Sequence, residues 1–250
     1  MSKLSRARLE LASQSSADTG GPARNSILRA LPPADRARLL PALQHVTFAL
    51  GDVVGEPGRR MDHIYFPTTA VVSSLYTTED GATAEMGLAG NDGVVGVSLF
   101  LGGDAPPNRT VAIVAGDAFR LRATALREEF AAGGALQMLL LRYTQALLTQ
   151  ISHTAVCNRL HAVEQRLSRW LLMCHDRVDR DDLQMTQEFI SNMLGGRRET
   201  VTVAAGRLQD AGLIRYARGH ISIVDRKGLE AAACECYPAV AACADRLAVV

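Results

Sequence analysis

The stretch that decides the fold is residues 185–225, MTQEFISNMLGGRRETVTVAAGRLQDAGLIRYARGHISIVD. It begins with a predicted helix, because Thr186 is a residue type that caps helix N-termini. Apolar residues then recur at helical spacing: Phe189, Ile190, Met193 and Leu194. Gly195 and Gly196 end this helix and permit a tight turn. Because a second helical pattern follows at once, the sequence predicts a helix-turn-helix.

The second predicted helix has a polar start and an apolar continuation. It opens with Arg197, Arg198, Glu199 and Thr200, and its packing residues are expected to be Val201, Val203, Ala204, Ala205 and Leu208. A DNA recognition helix presents its N-terminal residues to base edges, while its later turns pack on the domain. Arginine pairs with guanine through two hydrogen bonds, and glutamate accepts one from cytosine. The pattern favours a DNA-reading helix over the alternative, a buried hairpin with a solvated charged face.

Two short β-type runs, 213–216 and 220–224, follow around the turn Arg218-Gly219 and predict a hairpin. A helix-turn-helix with a hairpin is a winged helix, and Arg218 at the hairpin tip is expected to reach phosphate. Residues 195–227 hold seven Lys and Arg against three Asp and Glu (7 − 3 = +4), although the whole chain carries only +1. The acidic stretch 176–182 before them is interpreted as a linker. Basic charge is thus concentrated where DNA would be bound.

The composition fits an ordinary globular protein, with 48% hydrophobic and 21% charged residues. A chain of 250 residues can form two modest domains. No apolar run is long enough to span a membrane, and the N-terminus lacks a signal-peptide core. The five cysteines show no disulfide framework of the secreted kind. We therefore expect a cytoplasmic protein with no membrane partner, and a flexible tail over residues 1–24.

Before the helix-turn-helix, the sequence first shows a β-strand pattern and then a helical one. Short β-type runs at 46–48, 63–66, 70–76 and 111–114 alternate with glycine turns, which predicts an antiparallel barrel or sandwich. Residues 134–161 then form one long predicted helix whose apolar residues recur at three- and four-residue steps, as in a dimer seam. Packing of this helix on its own barrel is the alternative, and both can hold together.

Motifs of common enzyme classes are missing from the sequence. It contains no Walker-type loop, no Gly-x-Ser-x-Gly elbow and no His-Glu-x-x-His motif. We therefore expect no catalytic residues and no enzyme activity. The alternative to a DNA-binding regulator is a small-molecule or nucleotide-binding module whose helix-turn-helix mediates protein contacts.

Over residues 25–237, the order of these parts resembles the Crp/Fnr family of bacterial transcription regulators. In the first part, the match to a cyclic-nucleotide-binding β-roll rests on Gly51, Gly58, Ile64, Val71, Gly81, Gly90, Gly96 and Leu99. In the second part, TQEFI at 186–190 and RETV at 198–201 resemble the family's helix-turn-helix. The resemblance implies an α+β protein with an N-terminal antiparallel β-roll sensor domain (25–133), a long central dimerisation helix (134–161) and a C-terminal winged helix (162–250).

The resemblance also implies partners. A homodimer would bind a near-palindromic site in double-stranded DNA, with half-sites ~34 Å apart, and would contact RNA polymerase. The family's strongest base contacts fall here on Arg198 and Glu199. The wider expected DNA-binding set adds Thr186, Gln187, Arg197, Thr200, Thr202 and Arg218. A third family base contact, an arginine, falls on Val203, which offers only apolar contact.

The implied effector site is less well matched. Members of the family that bind cyclic AMP carry Gly-Glu in the phosphate loop and Arg-Ser or Arg-Thr further on. Here Gly96, Arg109 and Thr110 match, whereas Val97 replaces the glutamate, and the purine-contacting position falls on Ser152. Valine cannot accept a hydrogen bond from ribose, so cyclic AMP is disfavoured. Another nucleotide, another small effector, or no effector are all left open, and Arg109 could equally be a surface cation.

Metal binding is not expected. Oxygen-sensing relatives hold an iron–sulfur cluster on cysteines near the N-terminus, but the first cysteine here is Cys157. His153, Cys157 and His161 share one stripe of the long helix, yet no fourth ligand is evident, so packing is the preferred interpretation. The later cysteines are likewise interpreted as small core residues: Cys234, Cys236 and Cys243.

Overall fold

The computed structural model describes residues 21–248. Of the predicted N-terminal tail, residues 1–20 lie outside the described residues, and Pro22–Arg24 form a 3-10 turn. Two short helices follow, α1 (Ser26–Ala30) and α2 (Pro33–Leu39). The fully buried Asn25 caps α1 by accepting hydrogen bonds from the backbone of Ile27 and Leu28. Its amide also donates to the carbonyls of Pro67 (3.0 Å) and Gly93 (2.8 Å), which fixes this N-terminal segment to the sheets that follow.

Seven antiparallel strands form the next layer, in two sheets. The strands are β1 (Gln44–Phe48), β2 (Val53–Gly55), β3 (His63–Pro67), β4 (Val71–Thr77), β5 (Thr83–Ala89), β6 (Arg109–Val114) and β7 (Gly116–Arg122). One sheet has the order β1-β7-β3 and the other β2-β6-β4-β5. A helix α3 (Ala123–Ala131) closes this β-roll. The α+β class with an antiparallel β-roll is confirmed.

The central helix α4 (Ala135–Leu160) has two different faces. One face packs on the β-roll through Leu136, Leu139, Leu140 and Tyr143. On the same side Gln150 hydrogen-bonds to both the N–H and the carbonyl of Leu88 in β5 (2.5 and 3.3 Å). The other face exposes large apolar side chains: Met138, Leu141, Leu148, Val156 and Leu160. Among the helices in residues 21–248, neither α4 nor any other combines the length and apolarity that a bilayer crossing requires.

The C-terminal part is a helical unit with a small sheet. Its helices are α5 (Val163–His175), α6 (Gln187–Leu194), α7 (Arg198–Asp210), α8 (Arg226–Ala232) and α9 (Cys236–Ala248). The strands β8 (Asp182–Gln184), β9 (Ile214–Ala217) and β10 (His220–Ile223) form an antiparallel sheet in the order β8-β10-β9. The interpretation of 176–182 as a linker was therefore incomplete, because Asp182 begins a strand whose buried Leu183 pairs with Ile221.

The β-roll and the C-terminal unit share one apolar core. Val71, Leu75 and Leu88 of the β-roll pack in the same cluster as Trp170 and Met193. Successive residues of a strand point to opposite faces. Val72, the residue after Val71 in β4, therefore faces the interior of the β-roll. The outer face of the β2-β6-β4-β5 sheet is therefore covered by the C-terminal unit, which explains why its central strands are apolar on both faces.

Two buried polar contacts cross the same boundary. Glu85 of β5 accepts hydrogen bonds from the Trp170 indole (3.1 and 3.0 Å) and from the Ser73 hydroxyl (2.7 Å). Burial raises the pKa of Glu85, and these two donors oppose the shift. Arg177 forms a bidentate pair with Asp92 (3.0 and 2.5 Å). Since removing one partner of a buried charged contact leaves the other uncompensated, both contacts hold the two units in one relative position.

Candidate nucleic-acid interface

The first helix of the helix-turn-helix begins and ends as predicted. The Thr186 side chain caps α6 by accepting a hydrogen bond from the N–H of Phe189 (3.1 Å). At the other end Gly195 takes a left-handed conformation, with φ 58° and ψ 38°, and the N–H of Gly196 reaches back to the carbonyl of Ser191 (3.1 Å). A side chain at Gly195 would be strained at this φ, so the glycine permits the abrupt change of direction.

The second helix, α7, separates a buried face from an exposed one. Its buried residues are Val201, Ala204, Ala205 and Leu208. Arg197, Arg198, Glu199 and Thr200 at its start are all exposed, and so is Thr202. Val203 was expected to pack inside, but 53% of it is exposed. It lies four residues after Glu199 and therefore shares the exposed face, so it presents an apolar patch beside the polar start of the helix.

A polar contact joins the exposed faces of the two helices. The Thr202 hydroxyl lies within hydrogen-bond distance of the Gln187 side-chain oxygen (3.0 Å) and of the Arg198 carbonyl (2.9 Å). Thr186 and Gln187 at the start of α6 therefore belong to the same surface as the first turns of α7.

The wing brings a further cation to this surface. Strands β9 and β10 pair with His220 opposite Ala217, so the loop consists of Arg218 and Gly219. Both have positive φ (52° and 81°), which is the geometry of a two-residue type I′ hairpin turn. The carbonyl of Gly219 accepts a hydrogen bond from the N–H of Met185 (2.7 Å). The exposed Arg218 is thereby placed near the N-terminus of α6.

Three acidic side chains near this surface are paired elsewhere: Asp182, Asp176 and Glu164. Asp182 contacts His220 (2.9 Å) and Ser222 (3.0 Å), and the His220 hydrogen bond is the main reason that the pKa of Asp182 is lowered. Asp176 pairs with Arg226 at 2.6 Å, and Glu164 pairs with Arg207. Within residues 21–248 no ion pair engages three arginines of the interface: Arg197, Arg198 and Arg218. With three such arginines beside the single exposed carboxylate of Glu199 at the start of α7, this surface is positively charged, as phosphate binding requires.

A separate cavity of ≈ 130 Å³ lies between β4, β5, the 96–98 loop and the central helix. Its lining is mainly apolar and includes Gly96, Val97 and Thr110 of the expected effector set. Arg109 does not line it but pairs with Glu56 (3.2 Å) at the surface. Ser152 is also outside it, with its hydroxyl bonded to the Leu148 carbonyl (2.8 Å). The structure thus brings together three of the five expected effector residues.

Residues 165–232 match the family model described as the Crp-like helix-turn-helix domain. Because of this similarity, we call residues 165–232 the Crp-like domain. No curated protein sequence matches the chain. Solved structures do match: FixK2 from Bradyrhizobium japonicum is 16% identical with a TM-score of 0.66, over 77% of this chain and 98% of FixK2.

Two further solved structures have similar scores. TTHB099, a CRP-family transcriptional regulator from Thermus thermophilus, is 20% identical with a TM-score of 0.61, over 75% of this chain and 96% of its own. CLP, a c-di-GMP responsive global regulator from Xanthomonas campestris, is 17% identical with a TM-score of 0.60, over 77% and 99%. At these identities the likeness establishes the fold, and the chain has the fold of Crp/Fnr transcription regulators.

Sequence reasoning missed which residues of the central helix line the β-roll cavity. Tyr143, Leu147 and Ile151 line the cavity, one turn apart on α4. Their i, i+4, i+8 spacing is visible in the sequence and marks a common face, but it was interpreted as a dimer seam or as packing on the barrel, and the expected effector contact from this helix was Ser152. Ser98 also lines the cavity, and its buried hydroxyl has no hydrogen-bond partner among the described residues.

A second omission concerns the histidine and cysteines of the central helix. Cys157 and His161 are joined by Cys234 and Cys236, and the four ligand atoms lie within 4.8 Å of one another. Of the three residues singled out in the sequence, Cys157 and His161 belong to this group and His153 does not. The missing partners are distant in sequence and had been assigned to a separate helical core.

Proposed function

We propose that this chain is a sequence-specific DNA-binding transcription regulator that acts as a homodimer. The observation that carries the proposal is the exposed cationic surface of the Crp-like domain, formed by the starts of α6 and α7 and the tip of the wing. Arg198 and Glu199 contact base edges, as the first residues of a recognition helix do. Arg197 and Arg218 neutralise phosphates. The polar contacts to the DNA backbone come from Thr186, Gln187, Thr200 and Thr202.

The exposed apolar face of α4 supports the dimer. Leu141 and Leu148 are one heptad apart, and Val156 and Leu160 continue the stripe towards the C-terminus of the helix. A second copy of the same helix would cover these side chains and would place two Crp-like domains side by side. Two identical readers fit a near-palindromic operator with half-sites ~34 Å apart. The DNA-bound dimer would then act on RNA polymerase.

The cavity in the β-roll is the proposed effector site, and its chemistry favours a small, mainly apolar molecule over cyclic AMP. Its ≈ 130 Å³ is below the ~300–1,000 Å³ of pockets for drug-sized ligands. Val97 offers no acceptor for ribose, and Arg109 is engaged by Glu56 rather than directed at a phosphate. The unpartnered hydroxyl of Ser98 would fix one polar group of the effector.

The test is selection of bound sequences from random duplexes by the purified full-length chain, with and without cyclic AMP. We expect enrichment of a near-palindromic sequence, binding that weakens steeply with salt, and no gain from cyclic AMP. If the helix-turn-helix mediates protein contacts instead, no sequence will be enriched, because no side chain reads base edges. The steep dependence on salt will also be missing, because protein docking releases no condensed counterions. A sharp rise in affinity with cyclic AMP would contradict the effector proposal alone and leave the DNA-binding proposal intact.

A further inference from the structure

Four potential metal ligands meet where the central helix ends. Cys157 lies in the last turn of α4, and His161 is the C-cap residue of that helix. Cys234 precedes α9, and Cys236 is its first residue. Their ligand atoms lie within 4.8 Å of one another, and all three cysteines are buried.

Two of the distances already have the values of a tetrahedral site. The Sγ atoms of Cys157 and Cys234 are 3.5 Å apart, and Cys236 Sγ is 3.7 Å from His161 Nδ1. Ligands of tetrahedral zinc, with Zn–S of about 2.3 Å, are separated by about 3.8 Å. An iron–sulfur cluster would need wider spacing, because several atoms then stand between the protein ligands. The geometry therefore selects a single ion of a metal that accepts thiolate and imidazole.

The histidine is oriented for coordination through Nδ1. Its Nε2 lies 3.2 Å from the carboxylate of Glu235, so the ring proton is held on Nε2 and donated to that carboxylate. Nδ1 is then the unprotonated nitrogen, and it faces Cys236. A carboxylate that orients a histidine ligand in this way is the usual second partner of protein-bound zinc.

A buried cation beside the cysteines is an independent sign of negative charge at this place. Arg169 is only 4% exposed, and one of its nitrogens bonds to the Thr154 hydroxyl (3.1 Å). Its Nε and Nη1 have no hydrogen-bond partner among the described residues. Arg169 lies close enough to interact electrostatically with both Cys157 and Cys236.

Neutral thiols leave that arginine uncompensated, which is costly in a buried position. Three thiolates on a divalent ion carry a net charge of −1, which the guanidinium balances. A structural metal thus explains both the convergence of the ligands and the unpartnered cation.

We propose that Cys157, His161, Cys234 and Cys236 bind one Zn²⁺ ion in a structural Cys₃His site. Binding forms three Zn–S bonds and one Zn–N bond, and three thiol protons are released to solvent, so no electron is transferred. The site ties the end of α4 to the segment before α9, at the junction with the Crp-like domain. Its influence on DNA affinity rests on the proposed function, but zinc binding itself is measured without DNA.

The experiment uses the full-length chain, purified under reducing conditions without chelators. We expect one zinc per chain by elemental analysis. After replacement by Co²⁺, we expect the visible absorption of tetrahedral cobalt with a thiolate-to-metal charge-transfer band. Cys234→Ser and Cys236→Ser should lose the metal, whereas Cys243→Ser, a buried cysteine of the same helix α9 outside the group, should keep it. Far-UV circular dichroism of each variant reports whether it has folded.

Glu235→Gln keeps the proposal testable if the cysteine variants do not fold, because the Glu235 side chain is 80% exposed and its loss leaves the core intact. Competition with a chelator should give a zinc affinity about 10- to 100-fold weaker than that of the parent. Equal zinc content in the parent and in Cys236→Ser would overturn the proposal. So would a Cys157–Cys234 disulfide in metal-free protein purified without reductant, equimolar iron and sulfide in place of zinc, or an unchanged affinity in Glu235→Gln.

Discussion

The wing tip offers the sharpest test of how the interface binds DNA. Arg218 has a positive φ, so the perturbation should remove its charge and keep the turn. Asparagine is favoured at the first position of a type I′ turn, whereas alanine would be strained there. We therefore choose Arg218→Asn. If Arg218 neutralises one phosphate in each half-site, the variant dimer loses two phosphate contacts.

The expected magnitude follows from that count. Each neutralised phosphate contributes about 0.9 to the slope of log affinity against log salt, so the slope should become shallower by about 1.8. Between 50 and 200 mM salt, the advantage of the parent over the variant should shrink by about 12-fold, which is a fourfold salt change raised to the power 1.8. The loss should be the same for the selected operator and for a random duplex, because phosphate contacts carry no base information.

Fluorescence anisotropy with a labelled duplex at several salt concentrations measures both quantities. Arg207→Gln is the matched control, since Arg207 is an arginine on α7 that already pairs with Glu164. It should leave the slope unchanged. The reasoning is refuted if Arg218→Asn leaves the slope of the parent intact, or if Arg207→Gln lowers it equally. A loss confined to the selected operator would instead place Arg218 on a base edge.

Three further predictions follow from single contacts. Arg198→Ala should cost ~1–3 kcal/mol in operator binding and relax discrimination at one base pair, measured by repeating the selection; an unchanged sequence logo would contradict it. Trp170→Phe removes the indole donor to Glu85 and should lower the free energy of unfolding by about 1.5–3 kcal/mol. Urea titrations at pH 7 measure this change. An unchanged free energy of unfolding would show that the Trp170–Glu85 hydrogen bond does not stabilise the protein. Burial raises the pKa of Glu85, so the native state retains a proton that the unfolded state has released, and stability falls as the pH rises above 4.5. Glu85→Gln should therefore match the parent near pH 4 and exceed it at pH 7; parallel pH profiles would refute this.

The parts of the fold that the sequence predicted are those specified locally. The Thr186 cap and the left-handed Gly195 each act within a few residues, so the helix-turn-helix could be located from residue types alone. The turn at Arg218-Gly219 follows the same logic. Strand β8 was missed because it is three residues long and only Leu183 among them is apolar. That strand is held by pairing with β10, in which Ile221 lies opposite Leu183 although it is 38 positions further along the chain.

The candidate metal ligands also depend on contacts between distant parts of the sequence, which local patterns do not predict. Cys157 and His161 are neighbours on one helix, and that half of the set was visible in the sequence. Cys234 is 77 positions from Cys157, and only the packing of α9 against α4 brings the two together. Helical periodicity describes one face of one helix and cannot say what is packed on it. The effector cavity was half-predicted for the same reason: its loop residues follow a motif, while the residues from α4 depend on how the helix lies on the sheet.

Strand β5 contacts the β-roll cavity, the central helix and the C-terminal unit, which local sequence patterns could not relate to one another. Its C-terminal half lines the effector cavity with Leu88 and Ala89, and Gln150 of the central helix bonds to the Leu88 backbone. Its Glu85 bonds to Trp170, which lies in the Crp-like domain. A charged residue in a strand ordinarily predicts an exposed face, yet Glu85 is buried because the C-terminal unit covers that face. If an effector occupied the cavity and displaced Leu88, we would expect the displacement to reach the Glu85–Trp170 contact, because close-packed interiors transmit strain. Strand β5 is therefore the element through which the proposed effector site would be coupled to the proposed DNA-binding surface.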